Sequence, residues 1–98
     1  MKVRLPHSLE KAEIRRRLEE RKDEIIDYFP QGMASLESRW KGEDRMEFVV
    51  GIAGQRINGA VDIAEDHVVI EVDLPLILSF LGKKIEDSVR KEGTRLLT

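Results

Sequence analysis

The chain has 98 residues, of which 41% are hydrophobic, 37% are charged and 5% are aromatic, a composition typical of one small folded domain with a charged surface rather than a disordered tail. The 17 basic and 19 acidic residues give a net charge of -2, so the molecule as a whole does not attract nucleic acid. The sequence contains no cysteine, which excludes disulfides and thiolate metal sites. We therefore expect a single domain over residues 1–98 that binds no nucleic acid.

The N-terminal residues include no apolar core of a signal peptide, because Pro6 and a charged helix follow directly after Leu5. The longest apolar run, from Leu74 to Leu81, is interrupted by a proline and a serine and has less than half the length that crosses a bilayer. We expect a cytoplasmic protein without a transmembrane segment.

The chain begins with a predicted strand and helix. Apolar and basic residues alternate over residues 2–5, and Pro6 ends this short strand because it lacks a hydrogen-bond donor. Ser8 has the position of a helix N-cap, so the first helix is predicted to begin at Leu9 and to end at the proline and glycine within residues 30–33. The apolar stripe of this helix is Ile14, Leu18, Ile25 and Phe29, with Ala12 and Ile26 beside it.

Four further strands are predicted between residues 34 and 74, where apolar and polar residues alternate with a period of two. The turns are predicted at residues 42–44, 51–54 and 64–66, and Gly59 is predicted to mark a strand bulge. Successive strands joined by tight turns form an antiparallel meander with one apolar face. The side chains that must share this face include Leu36, Phe48, Val61 and Ile70.

The last element is predicted to be one helix from about Leu76 to Leu97, in which Gly82 and Gly93 mark bends or allow close backbone contact. The resulting order is β-α-β-β-β-β-α. We therefore predict an α+β fold in which a five-stranded antiparallel sheet, with the first strand beside the last, carries both helices on one face. This order resembles a helix-grip fold in reduced form.

The segment from Leu74 to Gly82 is the most apolar part of the sequence, with six large apolar side chains among its nine residues. One face of a short helix cannot bury all of them, and the helical spacing of about 100° per residue places some at the edge of the core. We predict that this edge contacts a hydrophobic partner or surface. The predicted contact residues are Leu76, Ile77, Phe80 and Lys84.

No set of side chains in the sequence specifies a reaction. His7 and His67 are 60 residues apart, and neither has a second histidine at metal-ligand spacing. The acidic residues fall at outward positions, where they stay solvated. The basic run at residues 15–17 is interleaved with acids, so we favour a solvated helix face over an anion-binding patch. We predict no catalytic residue, no cofactor and no metal, and we expect that the protein is not an enzyme.

Several short motifs occur in a defined order. They are Pro6-His7-Ser8-Leu9 at the first helix, Arg39-Trp40-Lys41-Gly42 before the first hairpin, the glycines at 51, 54 and 59, and Leu74-Pro75 leading to Gly82-Lys83-Lys84-Ile85-Glu86. In this order the chain resembles, over nearly its whole length, a small bacterial family called the Putative polyhydroxyalkanoic acid system proteins. The resemblance implies an association with polyhydroxyalkanoate storage granules. It does not assign a reaction or any catalytic residues.

Three functions fit these features. We favour a non-enzymatic accessory protein that binds the hydrophobic surface of a storage granule, or a partner protein, through the predicted contact residues, with cationic Lys83 and Lys84 beside the apolar ones. The first alternative is a homodimeric scaffold module in which the same apolar residues form the subunit interface. The second alternative is a small lipid- or small-molecule-binding domain with a pocket between the sheet and the last helix.

Overall fold

The computed structural model describes residues 1–28, 34–52 and 54–98. Within these residues the strands are β1 (Lys2–Pro6), β2 (Ala34–Trp40), β3 (Arg45–Ile52), β4 (Gln55–Ile63) and β5 (His67–Asp73), and the α-helices are α1 (Lys11–Arg21) and α2 (Gly82–Leu97). A 3₁₀ segment, Lys22–Tyr28, follows α1, and another, Leu76–Leu81, precedes α2. The strands form one antiparallel sheet in the order β1-β5-β4-β3-β2, which confirms the predicted α+β class and places the first strand beside the last.

The apolar side chains of the sheet share one face, as the alternation predicted. Phe48, Val61 and Ile70 are buried, and Leu36 packs at the border of the same cluster. Both helices cover this face, because their apolar stripes belong to the same cluster. The helical residues buried there are Ile14 and Leu18 of α1 and Ile85, Val89, Leu96 and Leu97 of α2. The predicted stripe residue Phe29, and the predicted end of the first helix at residues 30–33, lie outside the described residues.

The first helix begins at Lys11 and not at Leu9, and no side chain caps it, so the prediction of Ser8 as N-cap is wrong. The position of His7 explains the difference. Its ring Nδ1 accepts the backbone N–H of Leu9 at 3.2 Å, and its Nε2 lies 2.9 Å from the carbonyl oxygen of Ala64 and donates to it. These two hydrogen bonds hold the chain against the turn between β4 and β5, so the helix starts only beyond this anchor.

The predicted single helix from Leu76 to Leu97 is in fact two elements, a 3₁₀ segment and then α2. Gly82 is the first residue of α2 and marks their junction. The sequence predicted that Gly93 marks a bend or allows close backbone contact, and the structure shows the close contact. A Cβ at this position would lie 2.5 Å from Cδ1 of Leu5. The missing side chain therefore lets α2 pack closely on β1.

The predicted bulge at Gly59 is wrong, because β3 and β4 pair without interruption from Arg45 opposite Asp62 to Ile52 opposite Gln55. Gly59 lies directly opposite Phe48, and a Cβ at Gly59 would overlap the ring of Phe48. The glycine is therefore a packing requirement: the aromatic ring lies across the backbone of the neighbouring strand.

We predict that Gly59→Ala lowers the free energy of unfolding by about 1–3 kcal/mol, because the added methyl group collides with a buried ring. The loss is expected to be much smaller in a Phe48→Leu background, and urea unfolding of the four proteins in this double-mutant cycle measures the coupling. Gly51→Ala is the matched control, since Gly51 is also a strand glycine and a Cβ there meets only the mobile hydroxyl of Ser35. Equal losses in both backgrounds would contradict the packing role.

Candidate functional site

The predicted contact residues follow the last strand at one end of the sheet. β5 ends at Asp73, and Pro75 is extended, with φ -57° and ψ 149°. The carbonyl of Pro75 accepts the backbone N–H of Leu78 at 2.9 Å, which closes a 3₁₀ turn. Because a 3₁₀ helix has three residues per turn, side chains three apart project in the same direction. Leu78 points into the core, so Ile77 and Phe80 project together to one side of it.

Leu76, Ile77 and Phe80 are the exposed large hydrophobic side chains of the described residues, with relative exposures of 90%, 67% and 77%. We call these three residues the apolar segment. A single exposed leucine is ordinary, but here Ile77 and Phe80 project together to one side, and Leu76 adds a third exposed apolar side chain on a neighbouring side of the same segment. Leu78, by contrast, is buried and fixes the segment to the core.

Two lysines continue this surface into the first turn of α2. Lys83 and Lys84 are both exposed, and neither forms an ion pair with another described residue. The first turn of α2 contains no acidic side chain, and no side chain caps it. α2 continues directly from the 3₁₀ segment, and the backbone N–H of Gly82 donates to the carbonyl oxygen of Ser79, so the two lysines do not lie at a free helix N-terminus. The structure therefore brings all four predicted contact residues into one exposed stretch.

The space between the sheet and the helices does not form a ligand pocket in the described part of the chain. The gap among the core side chains has a volume of about 20 Å³ and is lined by residues such as Ile14, Phe48 and Val89. Ligand pockets typically measure about 300–1,000 Å³, whereas a volume near 20 Å³ holds about one water molecule. This geometry does not favour the alternative of a lipid- or small-molecule-binding domain of the helix-grip kind.

A much larger concavity, of about 750 Å³, lies on the opposite face of the sheet, which no described helix covers. Short side chains form its floor, among them Ala60, which is 3% exposed although it points away from the helices. Its border carries paired charges: Arg45 donates to Asp62 at 2.7 Å, and Arg39 donates to Glu47 at 3.1 Å. The sequence analysis did not predict this depression. The available signal was Ala60, a small residue at an outward position with charged neighbours on the adjacent strands.

No helix among residues 1–28, 34–52 and 54–98 is long and apolar enough to cross a membrane. Within the same residues, no group of three or more histidine, cysteine, aspartate or glutamate side chains is placed to hold a metal ion. The family model described as "Putative polyhydroxyalkanoic acid system protein" matches residues 1–97.

The chain belongs to this family. The match confirms the resemblance inferred from the sequence motifs, and the family name assigns the chain to a polyhydroxyalkanoic acid system. No curated protein and no solved structure matches the chain.

In this polyhydroxyalkanoic acid system protein, hydrogen bonds to several acidic side chains favour their ionised form. Hydrogen bonds from Arg16 and then Arg17 lower the pKa of Glu13 to about 2. The pKa of Glu47 is lowered, chiefly by its hydrogen bond from Arg39, and the pKa of Glu19 is lowered by the indole N–H of Trp40 and by Lys22. A general acid at neutral pH needs a raised pKa, so these carboxylates have the opposite property. They act as structural partners of basic groups.

Glu13 also positions the helices relative to each other. Its carboxylate accepts a hydrogen bond from Arg17 at 2.7 Å, and the same guanidinium donates to the backbone carbonyls of Leu96 at 2.8 Å and Thr98 at 3.2 Å. The side chain of Arg17 thus connects α1 with the C-terminal end of α2, and Glu13 orients it.

We predict an acid-dependent loss of stability from Glu13. A carboxyl group whose pKa is lower in the folded than in the unfolded protein stabilises the fold above its ordinary pKa of 4.5, and this contribution disappears as the pH falls towards about 2. Urea midpoints measured from neutral pH downward should therefore differ between the wild type and Glu13→Gln above pH 4.5 and converge near pH 2. Glu65→Gln, an exposed acid without an ion pair to a described residue, is the control and should follow the wild type. A constant gap at all pH values would contradict the role of the charge.

Proposed function

We propose that this protein is a non-enzymatic, cytoplasmic accessory protein of polyhydroxyalkanoate storage granules that binds the hydrophobic polyester surface. The contact is made by the apolar segment (Leu76, Ile77 and Phe80), with Lys84 beside it. The observation that carries the proposal is the exposure of these three side chains, between 67% and 90%, in a family named for a polyhydroxyalkanoic acid system.

The local sequence supports a selected surface rather than an accident of folding. Leu78 anchors this segment to the core, with Leu74 and Leu81 packed against the core on either side, and polar residues would serve equally well at the exposed positions. Lys83 and Lys84 add two exposed positive charges directly beside the segment. Exposed apolar side chains of this size are expected where a surface is used for function.

The energetics fit reversible attachment. Complete burial of a large apolar side chain contributes about 1.5–3 kcal/mol, so three such side chains provide several kcal/mol before the entropic cost of association is subtracted. Lysines beside an apolar face are also typical of proteins that lie on a surface. The expected result is a peripheral contact that leaves the domain folded and that can be reversed.

We predict that Ile77→Glu combined with Phe80→Glu abolishes co-sedimentation with purified polyhydroxyalkanoate particles and leaves the circular dichroism spectrum unchanged. Transferring an unpaired carboxylate into a dry contact costs several kcal/mol or forces it to take up a proton, whereas in the free protein both positions are already in water. The measurement is the bound fraction of purified protein against particle surface area.

The matched control is Ala12→Glu combined with Thr94→Glu, which adds the same two charges at exposed helical positions outside the apolar segment. This variant should bind like the wild type. Undiminished binding of the Ile77 and Phe80 variant would refute the proposed contact. Unfolding of that variant would show that these residues belong to the core, and wild-type binding only to particles that retain native granule proteins would assign the contact to a protein partner.

A further inference from the structure

The two edges of the sheet are differently protected. In an antiparallel strand, the backbone groups of successive residues point alternately towards the partner strand and away from it. Met1 exchanges backbone hydrogen bonds with Val72, so the groups that point away from the sheet at the β1 edge belong to Lys2, Arg4 and Pro6. Two basic residues and a proline without an N–H protect an edge against further strand pairing.

The β2 edge has no such protection. The backbone N–H of Lys41 donates to Arg45 across the hairpin at 2.8 Å, which fixes the alternation along β2. The groups that point away from β3 therefore belong to Leu36, Ser38 and Trp40, which include neither a charge nor a proline. No described strand pairs with this edge. On the helix-covered side, Leu36 and Trp40 remain partly exposed although they pack against the core.

We propose that two copies of this chain pair through their β2 strands, antiparallel and centred on Ser38, so that the two sheets become continuous. In this register Ser38 lies opposite the Ser38 of the second copy, and Leu36 lies opposite Trp40. These are the residues whose backbone groups point away from β3 and pair with no described strand, so each such pair exchanges two hydrogen bonds. The partly exposed leucine and tryptophan then cover each other across the interface.

The charges of β2 select this register. Glu37 and Arg39 point to the open face, and both side chains are 76% exposed. With the two-fold axis at Ser38, Glu37 of each copy lies opposite Arg39 of the other, in the closely spaced type of cross-strand pair. An axis at Glu37 or at Arg39 would place like charges opposite each other, which is destabilising. Glu37 is available for this contact, since its ion pair with Arg56 is long, at 3.9 Å.

Charge reversal tests both the interface and its register. Sedimentation equilibrium of the wild type should show a concentration-dependent dimer. Glu37→Arg or Arg39→Glu alone should weaken it by about tenfold or more, because each replaces two attractive pairs across the axis with two repulsive ones. Glu37→Arg is the more specific test, since Arg39→Glu also places a carboxylate opposite Glu47 of its own chain. An equimolar mixture of the two single variants should form a heterodimer, detectable by native mass spectrometry, since all four facing charges are then complementary. The double variant should regain most of the wild-type affinity.

Arg4→Glu is the matched control, because it makes the same charge change as Arg39→Glu at the other edge, and it should not alter the dimer. A wild type that stays monomeric up to its solubility limit would overturn the proposal. A dimer that tolerates both single reversals would also overturn it, and so would a dimer that is lost in the Ile77→Glu, Phe80→Glu variant. The particle-binding result is independent of this outcome, because the apolar segment is not part of β2.

Discussion

The close packing of α2 on β1 at Gly93 fixes the C-terminal third of the molecule. Because Leu5 fills the space that a side chain at Gly93 would need, the axis of α2 lies close to the edge strand and its buried stripe cannot rotate. Ile85 and Val89 then complete the core. With the helix held in this position, the preceding 3₁₀ segment lies beyond the end of β5, where the core can accept Leu78 and leaves its neighbours in water.

The same arrangement divides the molecule into surfaces with different properties. The helix-covered face of the sheet is closed, and its remaining gap is close to the size of one water molecule. The open face is concave but carries arginine–carboxylate pairs such as Arg45 with Asp62, which leave little net charge to attract a ligand. Among the described residues, the apolar segment exposes large hydrophobic side chains to water, and the β2 edge has backbone groups that pair with no described strand. They lie on different elements, so attachment and self-association can be tested separately.

The sequence predicts those features of the fold that depend on alternation. Strands β2 to β5 and their common apolar face follow from a period of two, and the exposure of Ile77 and Phe80 follows from having more apolar side chains than one stripe can bury. Two of the errors involve contacts with distant parts of the chain. Ser8 fails as a cap because His7 is bonded to Ala64, and Gly59 is a packing site because it faces Phe48 on another strand. The charges of Glu37 and Arg39 can be interpreted as self-complementary only when β2 is known to be an edge strand.

The central claim, that the apolar segment is the contact surface for the storage polymer, is tested most directly by hydroxyl-radical footprinting of side chains with and without polyhydroxyalkanoate particles. The account predicts that oxidation of Leu76, Ile77 and Phe80 falls several-fold when particles are added, because radicals in water no longer reach side chains buried in a dry contact. Oxidation of Trp40, at the far edge of the sheet, should not change. Undiminished oxidation of the segment in particle-bound protein, or protection confined to the open face of the sheet, would contradict the account.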